Sequence, residues 1–317
     1  MKKAYLAELI FNTPLAIHGS KLEIILNVLQ AHLNIAEIGA MEDDELPASL
    51  NAAKSGPAFQ DVGHGVAVLP IYGSLTHRTR GLDAMSGIQS YKQLSADFHA
   101  MVNDGSVRHI VLDLNTPGGS VNGLFDLADE ISSARGIKPI SAIVDESAYS
   151  AGYAIASAAD EIIVPRMGGV GSIGVIAAHV DRSAMLANSG IKVTPIYAGA
   201  RKADGLPDSP LTDEALSRLQ AEVDRAYELF VETVAKNRGM TAAAVRATEA
   251  DTYRGDDAIR IGLADKVMTA KDALRDIIAR NVNTQPQGKA GGRVQRAAQA
   301  MQIIGAQQNP SGSPRGV

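Results

Sequence analysis

From Gly65 onward the apolar positions fall into short continuous runs separated by longer stretches of helical period. Val66-Ala-Val-Leu-Pro-Ile-Tyr72, Ile110-Val-Leu-Asp-Leu114, Pro139-Ile-Ser-Ala-Ile-Val144 and Glu161-Ile-Ile-Val164 read as strands, and Gly174–Val180 and Lys192–Ile196 continue the series. Tyr91–Val102, Asn122–Ala134 and Ser150–Ala158 read as the intervening helices. Buried strands alternating with helices predict an α/β fold with a largely parallel sheet and flanking helices. Beyond it, Thr212 is placed to cap a long helix. Asp213 and Glu214 suit its first turn, and Leu216, Leu219, Val223, Phe230 and Val234 mark its expected buried face.

The flanks follow other patterns. Residues 1–62 form a separate region. An amphipathic helix is expected over Ser20–Leu33, with Leu22, Ile25, Leu26 and Leu29 on one stripe, followed by a linker-like stretch from Met41 to Gly56. The tail, residues 281–317, carries seven Gln, six Gly, four basic residues and no acid. Such a segment cannot bury a core and is expected to be disordered, with one short helix over Val294–Ile304 for a partner. This leaves residues 63–280 as the main domain.

Composition narrows the chemistry. The 317 residues are 45% hydrophobic but only 4% aromatic, which implies an aliphatic core. There is no cysteine, so thiol catalysis, disulfides and Cys-ligated metals are excluded. The net charge of −5 gives no footing for general nucleic-acid binding. The seven histidines show no metal-ligand spacing, so neither metal nor cofactor is expected. The first twelve residues imitate a signal peptide, but Glu8 and Asn12 interrupt the apolar run. No run reaches the ~18 apolar residues of a membrane span. A soluble, cytoplasmic protein is expected.

Four segments can together supply acyl-transfer chemistry. Ser150, in Ser147-Ala-Tyr-Ser-Ala-Gly-Tyr153, follows a predicted strand and opens a predicted helix. A serine among Ala and Gly is commonly just a packing residue. At a helix start, though, its hydroxyl shares space with the free Ala151 N–H, where an oxyanion donor belongs. Thr116-Pro-Gly-Gly119 is by itself a strand-to-helix turn, yet it could direct the Gly119 N–H at the same oxyanion. Lys202 is the candidate base. To serve, its pKa must fall from ~10.4 to near 7, roughly 4 kcal/mol of desolvation or repulsion. Ser172 could orient its amine. His179, 29 residues after Ser150, is the rival base, but no acid is placed to orient it. Gly169-Val-Gly-Ser-Ile-Gly174 matches G-x-G-x-x-G literally. It lacks the following helix and later acid of a dinucleotide site, so nucleotide binding is rejected.

Asp113-Leu-Asn-Thr-Pro-Gly-Gly119, Tyr149-Ser-Ala-Gly-Tyr153, Gly171-Ser-Ile-Gly174, the Lys202 segment and Gly262-Leu-Ala-Asp-Lys266 occur in this order. In these motifs residues 65–280 resemble the signal peptide peptidase A (protease IV) family, and within it the phage head maturation proteases. The resemblance implies a Clp protease/crotonase-like fold of stacked ββα units. It also implies a serine endopeptidase with Ser150 as nucleophile, Lys202 as general base, Ser172 in support, and Gly119 and Ala151 as oxyanion donors. Where relatives have two glycines after the serine, this chain has Ala151-Gly152, which keeps the backbone N–H. The implied partners are polypeptides such as scaffold, portal or the chain's own termini, and further copies in a homo-oligomer. The implied setting is the host cytoplasm or prohead interior. The membrane anchor of the bacterial enzymes and most of the scaffolding extension of the phage proteins are expected to be missing. The alternatives are a cytoplasmic signal-peptide-peptidase-like protease, a non-catalytic assembly protein, and a crotonase-type acyl-CoA enzyme.

Overall fold

The computed structural model describes residues 12–22, 59–78 and 88–283. The expected helix beyond Leu22, the linker Met41–Gly56 and the tail beyond Asn283, with its helix over Val294–Ile304, lie outside the described residues. The first residues of the expected tail, Asn281–Asn283, are instead helical, and Asn281 is buried with its side-chain amide donating to the His64 carbonyl at 2.6 Å.

The strand runs of the sequence form one mixed, mostly parallel sheet. Its strands are β1 (Leu15–Ile17), β2 (Gln60–Asp61), β3 (Val66–Thr76), β4 (Ile88–Ser90), β5 (His109–Ser120), β6 (Ile140–Tyr149), β7 (Glu161–Val164), β8 (Gly169–Gly171), β9 (Thr252–Arg254) and β10 (Lys266–Val267). The main order is β10-β7-β6-β5-β3-β2, and every neighbouring pair from β10 to β3 is parallel. The helices are α1 (Tyr91–Asn103), α2 (Leu124–Ser133), α3 (Ala151–Ser157), α4 (Ser183–Asn188), α5 (Asp213–Arg238), α6 (Ala242–Arg246), α7 (Gly255–Arg260) and α8 (Ala270–Asn283).

Strand alternation sorts side chains to two faces. Leu69, Ile71, Ile110, Leu112 and Leu114 enter the main core with Phe98, Leu127, Ile155 and Phe230 from helices on one face. Val66, Val68, Val111, Ile143 and Ile163 meet Ala273 and Ile277 of α8 on the other. Burying both faces is what makes the central strands read as continuous apolar runs. Each fully buried Leu or Ile contributes about 1.5–3 kcal/mol.

Several boundaries differ from expectation. β5 and β6 run past their apolar cores to Ser120 and Tyr149, because both stay paired with neighbours there. The expected strand over 174–180 shrinks to isolated bridge residues at Ile176 and Ala178. The expected strand over Lys192–Ile196 does not form; its residues are exposed and pair with no strand among the described residues. Thr212 caps α5 as predicted, its side chain accepting from Ala215 N, and Gly239 ends the helix at φ 65°. α5 packs deeply mainly through its second half, although Ala215 in its first turn is also buried. Phe230, Val231 and Val234 are buried, whereas Leu219 and Val223 are half-buried and Leu216 is exposed, since the first turns extend past the core.

Candidate active site

Ser150 stands at the junction of β6 and α3, with φ 54° and ψ −115°. A non-glycine residue in this region costs on the order of 1–3 kcal/mol and is held there by its surroundings. The holding contacts are visible. Tyr149 pairs with Gly171 of β8, and the Ser150 N–H donates to the Gly171 carbonyl at 2.8 Å. The side chain is fully buried, and its hydroxyl donates to the Gly174 carbonyl over a long 3.4 Å. Ala151 and Gly152 open α3, where N–H groups have no acceptor within the helix.

The Pro-Gly-Gly segment is not the turn that its composition favours. It is the end of β5, held by Thr116, whose hydroxyl donates to the Gly73 carbonyl at 2.6 Å and accepts from the Gly118 N–H at 3.1 Å. The glycines are required by space. A Cβ on Gly119 would lie 1.9 Å from the Leu75 carbonyl oxygen, inside any permitted contact. A Cβ on Gly118, whose φ is +101°, would lie 3.0 Å from both the Ala151 nitrogen and the Ser150 Cβ. The glycine strand, the Ala151 N–H and the Ser150 side chain therefore converge.

Ser172 follows β8 at φ 53°. It is buried, and its N–H donates to the Asp251 carbonyl at 2.8 Å. It thus lies one residue from the Gly171 carbonyl that anchors Ser150. The G-x-G-x-x-G stretch holds the short strand β8 and leads into no helix, unlike a dinucleotide site.

Lys202 is placed differently. It is exposed, in a segment from 190 to 211 without strand or helix, and its N–H donates to the Gly199 carbonyl at 3.0 Å. Its exposure contrasts with the burial of Ser150 and Ser172. His179 is also engaged elsewhere: its ring nitrogens lie 3.0 Å from Asn12 Oδ1 and 3.4 Å from the Ser209 carbonyl. Neither partner is Ser150 or a carboxylate.

Two features of the site had no signal in the sequence reading. Arg135, just after α2, grips the far end of α3. Its guanidinium donates to the carbonyls of Ser157 (2.6 Å), Ala158 (2.8 Å) and Ala159, and to that of Asn237 on α5 (3.0 Å). The helix that begins at Ser150 is thereby pinned at its other end. The second feature is β1, which lies directly beside Gly118 and Gly119. A surface-type Arg after a helix and three apolar residues near a terminus carry no pattern that distinguishes them.

A buried hydroxyl at a helix start, close to the Ala151 nitrogen, can form an acyl ester next to an N–H that could stabilise the preceding oxyanion. What it still needs is a base. Among the described residues no group of three or more His, Asp or Glu could hold a metal ion, and no helix is long and apolar enough to cross a membrane.

Comparison with known proteins agrees with this chemistry. Residues 133–282 match peptidase family S49. The chain is 34% identical over 311 residues to capsid assembly protease C of Escherichia phage lambda, covering 94% of this chain and 70% of that protein. It is 37% identical over 227 residues to head-tail preconnector protein GP5 of Enterobacteria phage P21, covering 72% of this chain and 45% of that one. Protease 4 of Haemophilus influenzae is 28% identical over 174 residues, 54% of this chain and 28% of that protein. The chain thus spans less than half of the P21 and Haemophilus proteins. Among solved structures, the membrane-bound stomatin-specific protease 1510-N is similar over 66% of this chain and 82% of that one. At 16% identity and a TM-score of 0.44 that likeness is too distant to carry an argument. On the match to residues 133–282 and the extent of the lambda relationship, the chain belongs to peptidase family S49.

Proposed function

We propose that this S49 peptidase is a serine endopeptidase in which Ser150 forms the acyl-enzyme, Gly119 and Ala151 hold the oxyanion, Lys202 is the general base and Ser172 orients its amine. The observation that carries the reading is the strained, fully buried Ser150 set against the glycine strand and the Ala151 nitrogen. The similarity to two phage proteins, a capsid assembly protease and a head-tail preconnector protein, supports head proteins of a phage or prophage as substrates.

A lysine acts as a base only when desolvated, and Lys202 is exposed. The same segment exposes Ile191, Val193 and Tyr197, and Ile196 to 96%. Such a cluster favours burial against another polypeptide surface. A homo-oligomer whose contacts cover residues 190–211 would desolvate the lysine and complete the site. The exposed Lys202 also favours a second reading, a non-catalytic assembly protein that has kept the fold.

One experiment separates the two. The purified chain is incubated with an unfolded polypeptide, and products are identified by mass spectrometry for wild type and Ser150→Ala. Discrete cleavages lost in Ser150→Ala, whose melting temperature is unchanged, are expected. Assembly without cleavage, or cleavage retained in Ser150→Ala, contradicts the proposal.

A further inference from the structure

β1 lies inside the candidate site. It is sandwiched between the end of β5 and the segment after Gly174, antiparallel to both. Leu15 exchanges main-chain hydrogen bonds with Ile176 at 2.8 and 2.9 Å, and Ala16 pairs with Gly119 on the other side. Further contacts hold the two ends: the Asn12 N–H donates to the Ala178 carbonyl at 2.9 Å, and the His18 N–H to the Pro117 carbonyl at 2.8 Å. Residues 12–18 are therefore gripped along their backbone, the way an extended peptide is bound by strand addition.

The register places one peptide group at the nucleophile. Ile17 faces Gly118, and His18 donates to Pro117, so the same antiparallel ladder directs the Gly119 N–H at the Ala16 carbonyl. The Gly118 Cβ position that lies 3.0 Å from the Ala151 nitrogen and from the Ser150 Cβ lies 2.3 Å from the Ala16 oxygen. A carbonyl of the chain itself thus shares the small space into which Ser150, Gly119 and Ala151 converge. Ala16 is fully buried there, so nothing much larger than a methyl group fits. Past Ile17 the chain opens into a cavity of about 410 Å³ lined by His18, Lys21, Pro117, Tyr149 and Arg254 among others. A departing segment has room to leave and water to enter.

We propose that the Ala16–Ile17 bond is a self-cleavage site, and that residues 12–16 block the peptide channel until it is cut. The proposal rests on Ser150 being the nucleophile. Ser150 Oγ adds to the Ala16 carbonyl carbon while its proton passes to the base. The base returns that proton to the Ile17 nitrogen as the carbon–nitrogen bond breaks, which leaves an Ala16 ester on Ser150. Water then adds to the ester and releases Ser150. The products are residues 1–16 with a new carboxylate and a chain beginning with the Ile17 amine.

The test follows the intact mass and N-terminal sequence of the full chain, alongside cleavage of a synthetic peptide of residues 12–20. Wild type converts to a chain starting at Ile17 and cuts the peptide between the same residues, and Ser150→Ala does neither. Ala16→Arg, whose side chain cannot be buried beside Gly118, stays full length and still cuts the free peptide. If wild type cuts the peptide in a Ser150-dependent way but keeps its own Ala16–Ile17 bond, the inference is overturned and the peptidase reading stands. Cleavage of Ala16→Arg at the same bond also overturns it. If neither chain nor peptide is cut, the peptidase reading itself fails.

Discussion

The surroundings of Ser150 and those of Lys202 are built on opposite principles. Around Ser150 nearly every atom has a neighbour. The serine is fully buried, its backbone is held off the common conformations, and Gly119 and Gly152 sit where a single added carbon would collide. Around Lys202 the chain from 190 to 211 has neither strand nor helix and turns Ile196 and Tyr197 to solvent. The difference teaches that a single copy of the chain pre-organises the Ser150 half of the proposed site but leaves Lys202 uncovered. Pre-organised donors cost no rearrangement at the moment of reaction. A base that becomes competent only when covered would confine hydrolysis to an assembled state.

The largest expected effect comes from breaking the rigid half. In Gly119→Ala the new Cβ would lie 1.9 Å from the Leu75 oxygen, so the strand that carries the proposed oxyanion donor must shift. We expect peptide hydrolysis to fall by at least about 10²–10³-fold, the cost of losing one such donor, together with a lower melting temperature. Activity near wild type would show that Gly119 is not a donor.

The next effect sharpens the comparison from the open half. Ile196→Asp removes the most exposed apolar side chain near Lys202. Its melting temperature as a monomer should not change, because the residue packs on nothing there. Sedimentation should show loss of self-association, and hydrolysis should fall by about 10²–10⁴-fold, as for removal of a general base. An associated, fully active Ile196→Asp would place the covering surface elsewhere.

A smaller effect tests what holds the helix that begins at Ser150. Arg135→Ala leaves the carbonyls of Ser157, Ala158 and Asn237 without their charged donor. We expect a loss of about 2–3 kcal/mol in chemical denaturation, since hydrogen bonds to charged groups contribute about 1.5–3 kcal/mol. Activity per folded molecule should drop only modestly. An unchanged stability would mean that α3 does not depend on this clamp.

The rigid half was largely legible in the sequence. Continuous apolar runs mark strands buried on both faces, and Glu161–Val164 appears with the bounds expected. Ser150 was found because a small-residue turn between a strand and a helix is a recognisable pattern. The turn that the composition of Pro117-Gly-Gly119 suggests on its own does not form, for a physical reason. Glycine signals flexibility in composition, but here it is needed for close approach to Leu75 within a strand. The open half misled for the converse reason. Lys192–Ile196 has the apolar character of a strand, yet it pairs with no strand among the described residues. The placement of β1 had no local signal at all, because three residues acquire meaning only through contacts more than a hundred positions away.

The central claim is that Ser150 works with a lysine rather than a histidine. It is tested most directly by steady-state cleavage rates of Lys202→Arg, Lys202→Ala and His179→Ala, each checked for folding. Arginine keeps the positive charge but cannot give up its proton, so it cannot accept one from Ser150. Lys202→Arg should therefore be as inactive as Lys202→Ala, about 10²–10⁴-fold below wild type. His179→Ala, which loses contacts to Asn12 and Ser209, should retain most activity. An active Lys202→Arg enzyme, or a folded but inactive His179→Ala enzyme, would contradict the account.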